Sequence, residues 1–241
     1  MQTDSIALAL RPRSRWEGCD LGVRLLQSSM TSVFSTWAPV AAPVLLVCLL
    51  TDRMAGWLPF LSIWLSKPWL DRTILYSLSR ALFGRRTTPR DLWRARREVW
   101  RVRIAGLALQ RLSASRSFRQ PIVQLEGLSG AELADRIRRL TQRHRGVARA
   151  MTVAFASAEF ALFASILSLR MWLSPHSAEV EWSWLGSLDA APGLLAPLAY
   201  AAAVGFLEPF YVAAGFGMYV NRRVELEAWD IEQEFRRAFG A

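Results

Sequence analysis

Along the chain, long uncharged runs alternate with dense arginine segments. Ser32 to Leu50, SVFSTWAPVAAPVLLVCLL, runs nineteen residues without a charge. At 1.5 Å per residue such a helix reaches about 28 Å, enough for a hydrocarbon core about 30 Å thick. It predicts a first transmembrane span, bent at Pro39 and Pro43, whose freed carbonyls neighbouring helices can pair. Ala150 to Leu173 and Leu194 to Val220 have the same character and predict a third and a fourth span. The segment between is less regular. After a short turn at Thr51 to Gly56, Trp57 to Phe83 is apolar in outline but carries Lys67, Asp71, Arg72 and Arg80. Pro68 divides it, predicting a broken second span whose latter half is amphipathic, with Trp69, Leu70, Ile74, Leu78 and Leu82 on one stripe. A re-entrant or interfacial pair of half-helices is the rival reading.

The polar segments carry their own helix signals. Trp16 to Gln27 reads as an amphipathic helix on the cytoplasmic face. Thr88-Pro89-Arg90-Asp91 is a helix start, with a capping hydroxyl, proline at the first helical position and an acid favourable to the dipole. Ser129-Gly130-Ala131-Glu132 has capping-box spacing and introduces a helix to about Arg145. Between them, SASRSFRQPIVQLEGLSG reads as a loop broken by Pro121, Gly127 and Gly130. Asn221-Arg222-Arg223 ends the fourth span, and Val224 to Phe239 reads as a charged helix. The expected architecture is all-α, a polytopic transmembrane bundle of about four spans with amphipathic cytoplasmic helices. Its parts are an N-terminal segment 1–31, a first hairpin 32–83, a basic helical region 84–149, a second hairpin 150–220 with outer loop 174–193, and a C-terminal helix 221–241.

Charge sets the orientation. Hydrophobic residues make up 52%, yet the net charge is +10. Seventeen of the 30 basic residues fall between Gly84 and Arg149, four in the first 31 residues and four after Val220. Ser174 to Gly193 has none, but holds Glu179, Glu181 and Asp189. The positive-inside bias therefore places the basic region and both ends in the cytoplasm. Trp172, Trp182 and Trp184 then fall near the outer interface. Ile6 to Leu10 is too short for the apolar core of a signal peptide, so the first span is expected to act as its own uncleaved signal. Cys19 and Cys48 form neither a disulfide framework nor a CxxC pair.

The residues that carry chemistry are charges inside the spans. Glu159 and Glu208 fall roughly 15 and 20 Å from the inner ends of their spans, and Lys67 at a similar depth, so the three are expected to meet. A lone charge at that depth costs at least about 2.5 to 3.5 kcal/mol, hence such residues pair or line a wet cavity. Bridges from Lys67 to Glu159 or Glu208, with Asp71 and Arg72 as further partners, would lock the helices. A proton or substrate path is the functional alternative. Pro209 leaves a carbonyl near Gly205 without its usual donor, either a packing kink or an exposed backbone site. Ala201, Gly205, Ala213 and Gly217, small residues at four-residue spacing, suit close helix contact.

The basic region shows no helix-turn-helix, zinc-finger or RNA-binding signature, so anionic lipid headgroups are the expected partner and nucleic acid is not. Neither GxxxxGK[ST], GxSxG nor HExxH occurs, and His144 and His176 fall on opposite sides of the membrane. No catalytic residue, metal or cofactor is expected.

RSRWEGCDLG, SRSFRQPIVQLEG, WLSKPWLDRTILYSLSRALFG and EPFYVAAGFGMYVNRRVELEAWDIEQEF resemble segments of uncharacterised multi-pass bacterial inner-membrane proteins. The last span with its following helix also looks like membrane domains associated with glycerophosphodiester phosphodiesterases. The first resemblance implies a cell-envelope component of the bacterial inner membrane, acting with other membrane proteins. Its most distinctive stretch holds Glu208, Pro209, Tyr211, Asn221, Arg222, Glu227, Trp229 and Asp230. The leading expectation is a non-enzymatic component that scaffolds or assembles with envelope partners. The alternative is a transporter or lipid-handling protein using Glu159, Glu208 and Lys67.

Overall fold

The computed structural model describes residues 14–100, 115–142, 144–173 and 194–227, most of them helical and none in a strand. The helices are α1 (Arg15–Ser28), α2 (Met30–Leu50), α3 (Leu58–Leu82), α4 (Pro89–Arg94), α5 (Arg96–Trp100), α6 (Arg116–Leu125), α7 (Gly130–Thr141), α8 (Arg145–Leu173) and α9 (Leu195–Glu227). Among the described residues, three segments are long and apolar enough to cross a membrane, Met30–Arg53, Arg145–Leu169 and Leu195–Leu226, the mark of a membrane protein. α3 is not among them.

The central helix is α9, which packs against α1, α3, α6 and α8. Its small residues explain why. A Cβ on Gly22 of α1 would strike the Ala213 carbonyl and Gly217, and one on Gly217 would strike the backbone of Gly18 and Gly22. The two backbones therefore touch, a contact open only to glycine at these positions. Gly205 lies 4.0 Å, from an added Cβ, to the Trp37 ring of α2. The small-residue face is thus a packing surface, and α9 continues without a break through Pro209 and past Asn221 to Glu227. Val224 lies inside it, so no separate helix begins there.

α1 begins with a capping box in which Ser14 and Glu17 exchange hydrogen bonds. Thr88 and Asp91 do the same at the start of α4, as the sequence predicts. Ser129 does precede α7, but its side chain caps nothing, and that helix ends at Thr141 rather than near Arg145. α7 turns Leu133, Ile137 and Leu140 toward the core, a four-and-three spacing that lines one helical face.

Two expectations fail here. The segment read as a broken second span does not break at Pro68: α3 runs unbroken from Leu58 to Leu82 with Pro68 inside. Nor is its latter half amphipathic. Asp71 and Arg72 are buried along with Leu70, Ile74, Leu78 and Leu82, because other helices cover both faces.

The other correction is larger. Arg116–Leu125, read as loop, is a helix with Arg116, Ser117, Phe118, Gln120, Pro121 and Ile122 buried. α6 lies between α9 and α3, and Gly215 of α9 admits its first turn at Ser117. Gln120 Nε2 donates to the Pro68 carbonyl at 3.0 Å and Gln124 Nε2 to the Arg72 carbonyl at 2.9 Å. Two amides four residues apart thus meet two carbonyls four residues apart, fixing α6 in register along α3. Phe118 and Ile122 are fully buried with Leu26, Leu75 and Phe216. This tertiary packing overrides the loop signal of Pro121.

α8 stands at the periphery. Val153, Phe160, Leu169 and Trp172 are exposed on it, while Ala148 and Met151 near its start reach the core. The segment read as an outer loop, with Trp182, Trp184 and His176, lies outside the described residues, as do Trp229 and Asp230.

Candidate functional site

Five ionisable side chains from four helices converge where α3, α6, α8 and α9 approach. α3 supplies Lys67 and Asp71, one turn apart and therefore on one face. Lys67 Nζ lies 2.5 Å from Glu159 Oε2 of α8 and 2.9 Å from Glu208 Oε2 of α9. The first turn of α6 delivers Arg116, whose Nη1 is 3.0 Å from Asp71 Oδ2 and whose Nη2 pairs with Glu208 Oε1. The two amino groups of one guanidinium thus hold the Asp71 and Glu208 carboxylates side by side. Glu208 is the hub, bound by both cations at once.

Burial is nearly complete. Side-chain exposure is 0% for Asp71, 2% for Glu208 and 3% for Lys67 and Arg116, against 17% for Glu159. Charges so far from solvent persist only as partners. Aromatic faces back both cations, with Tyr200 6.0 Å from Lys67 Nζ and Tyr211 5.1 Å from the Arg116 guanidinium. The Tyr211 hydroxyl in turn meets Thr152 Oγ1 of α8 at 3.2 Å.

The cluster is not sealed. Lys67, Arg116, Glu159 and Glu208 form part of the wall of a cavity of about 350 Å³ between α3, α8 and α9. Most of the rest of the wall is aromatic, including Phe60, Trp64, Phe155 and Phe163, with Thr152, Ala156 and Leu207 between. Across it α3 and α8 meet through the Lys67–Glu159 pair and an edge-to-face contact of Phe60 on Phe163. Phe160, also in the wall, is 70% exposed, so the cavity opens on the outer face of α8.

The structure thus brings together Lys67, Asp71, Glu159 and Glu208 and leaves Arg72 out. Arg72 Nε donates to the Val99 carbonyl at 2.5 Å, on the side of α3 where Trp69 stacks on Trp100. Arg116 takes the place the sequence reading gave to Arg72. Its signal was absent because it is one of seventeen basic residues in a segment read as cytoplasmic.

The C-terminal motif divides in two. Glu208 and Tyr211 belong to the cluster, whereas Asn221 and Arg222 serve a second network about three turns further on. Asn221 Nδ2 and Arg222 Nη1 donate to the two oxygens of Glu225 at 3.0 and 2.7 Å, and His144 Nε2 lies 3.9 Å from that carboxylate. Glu227 ends α9. Burial, with lesser contributions from Arg222 and Arg15, pushes the His144 ring below its ordinary value of 6.5, against the opposing Gln142 carbonyl and Glu225. His144 is then neutral in the fold and takes up a proton on unfolding. Its share of stability is full above about pH 6.5 and shrinks as pH falls below it. His144→Asn should therefore melt with a shallower acid-side decline than the parent, checked by thermal unfolding in detergent between about pH 7.5 and 5.

Among the described residues no group of three or more His, Cys, Asp or Glu side chains is arranged to hold a metal ion. The chain matches no family model, no curated protein and no solved structure.

Proposed function

We propose that the chain is a multi-pass protein of a bacterial inner membrane whose interior site handles a charged ligand within the bilayer. Both ends lie in the cytoplasm, and α3 is a span beside α2, α8 and α9. Its 25 residues reach about 37 Å, long enough to cross. Its charges keep it from looking apolar, but Lys67 and Asp71 are paired inside the bundle, which is how spans carry such residues. Exposed Arg85, Arg86, Arg90 and Arg94 near its end suit a cytoplasmic leaflet of anionic headgroups, each worth about 1 kcal/mol there.

One observation carries the transport or lipid-handling reading: the ion cluster forms the wall of a cavity instead of filling it. A cluster serving only to lock helices gains nothing from an adjoining cavity of about 350 Å³ with seven aromatic side chains around it. The assembly reading, a non-enzymatic scaffold for envelope proteins, draws on the apolar outer face of α8. Acyl chains cover such a face equally well.

Reporter fusions after Gly84, Pro175 and Ala241 test the topology: the first and last should report cytoplasmic, and Pro175 external. A cytoplasmic Pro175 contradicts it. The ligand reading is tested in proteoliposomes with a panel of cationic and anionic amphiphiles, comparing the parent with Glu159→Gln. At least one class should exchange across the parent membrane and not across the variant. If none exchanges and the variant is impaired only in stability, the cluster is a lock and assembly is the better reading.

A further inference from the structure

Fully ionised, the cluster holds two cations, Lys67 and Arg116, and three carboxylates, Asp71, Glu159 and Glu208. That leaves one surplus negative charge in a site removed from water. Interior charge of this kind is neutralised by a proton or a counter-charge. Asp71 and Glu208 sit on the two amino groups of the one Arg116 guanidinium, and two buried carboxylates held that close share one proton between them. With the proton in place, Glu159 and Glu208 balance Lys67 and Arg116.

A second neutral arrangement exists. Lys67, Arg116, Asp71 and Glu208 balance among themselves when all are ionised, which frees Glu159 as the one carboxylate without a required partner. Glu159 is also the most exposed member, at 17%, and sits on α8, the helix with exposed Val153, Phe160 and Leu169. Lys67 keeps Glu208 at 2.9 Å if Glu159 turns away. The wall around Glu159 is rich in rings packed on one another: Tyr200 lies 5.6 Å from Phe60 and 6.2 Å from Phe163, and Phe155 lies 5.5 Å from Tyr211. Ring faces attract cations and accept apolar surface. An anionic ligand fits less well, since it adds to the surplus charge and must displace carboxylates from both cations.

We propose that the cavity binds a monovalent lipophilic organic cation against Glu159 and that its binding expels the proton shared by Asp71 and Glu208; this rests on the ligand-handling reading above. The charge balances: one positive ligand enters, one proton leaves to water, and the site is neutral before and after. No covalent bond other than the carboxylic O–H is broken. The groups that face the titrating pair are Lys67 from α3, Arg116 from α6, Glu159 from α8 through Lys67, and Tyr211 from α9 through Arg116. Proton and cation compete for one unit of charge. This is the condition for exchange of one against the other across a membrane.

Titration calorimetry tests this on the full chain in detergent micelles, with tetraphenylphosphonium as the probe and two buffers of unlike ionisation enthalpy. The expected result is saturable binding with about one proton released per cation, and an affinity that rises about tenfold per pH unit while the pair is protonated. Glu159→Gln should abolish binding. Glu159→Asp, which keeps the charge, should bind more weakly and still release the proton, so loss in the first variant is not loss of fold. Asp71→Asn should release no proton and show binding independent of pH. Binding without proton release in the parent, or unchanged by Glu159→Gln, overturns the proposal. An alkyl phosphate binding in place of tetraphenylphosphonium overturns the cation class and leaves the ligand-handling reading standing. If neither probe binds, both readings fall.

Discussion

Replacing Arg116 with Leu should destabilise the fold by about 3 to 5 kcal/mol, because it strands two carboxylates that are almost completely buried. Asp71 loses the cation 3.0 Å from it, and Glu208 keeps only Lys67. The measurement is equilibrium unfolding in a mild detergent. Adding Asp71→Leu should recover part of the loss, since a buried pair replaced together by apolar residues is often tolerated where half a pair is not. The recovery is the coupling between the two residues, read from a double-mutant cycle. If Arg116→Leu is as stable as the parent, α6 does not carry its arginine into the bundle and the site as described is wrong.

The second large effect lies at the contact of α1 with α9. Gly217→Ala should cost toward the upper end of about 1 to 3 kcal/mol, because the new methyl meets the backbone of Gly18 and Gly22, which cannot rotate aside as a side chain can. Gly22→Ala should behave alike, its methyl meeting Ala213 and Gly217. Limited proteolysis should then release α1 while the apolar helices stay intact. Gly146→Ala is the control, a helical glycine of α8 with nothing within 4 Å of an added Cβ. It should be neutral or slightly stabilising, as glycine is the poorer helix former.

Much of the fold was legible in the sequence wherever one physical constraint acted alone. Length and lack of charge are enough to mark α2, α8 and α9, because a bilayer asks little else of a helix. The meeting of Lys67 with Glu159 and Glu208 followed from counting helical rise, since charges at one depth in apolar spans have few other partners. Legibility ended where tertiary packing competes with local signals. Pro68 sits in α3 without ending it because α2 and α9 hold the helix on both sides. SRSFRQPIVQL was hidden for a related reason. Serines, arginines and a proline look like a solvated loop, and only contact with α3 and α9 turns Arg116 and Gln120 into the buried face of α6, with half-buried Gln124 at its edge. The pattern of SFxxxI, placing Phe118 and Ile122 one turn apart, was the one local hint of that face. Arg72 misled by adjacency. It comes directly after Asp71 in sequence, but successive helical residues point about 100° apart, and it turns to Val99 instead.

The cluster is either a lock or a binding site, and the two differ in what Glu159 does. As the most exposed member it is the one best placed to meet a ligand. Thermal unfolding of the parent and of Glu159→Gln, each with and without tetraphenylphosphonium, separates them in one measurement. Probe present at about a hundred times its dissociation constant stabilises a binding protein by about 2.7 kcal/mol. A binding site requires that the parent's melting temperature rise by that equivalent, while Glu159→Gln melts close to the ligand-free parent and does not respond to the probe. A parent that ignores the probe, together with a variant that melts far lower, would show the charges to be a lock.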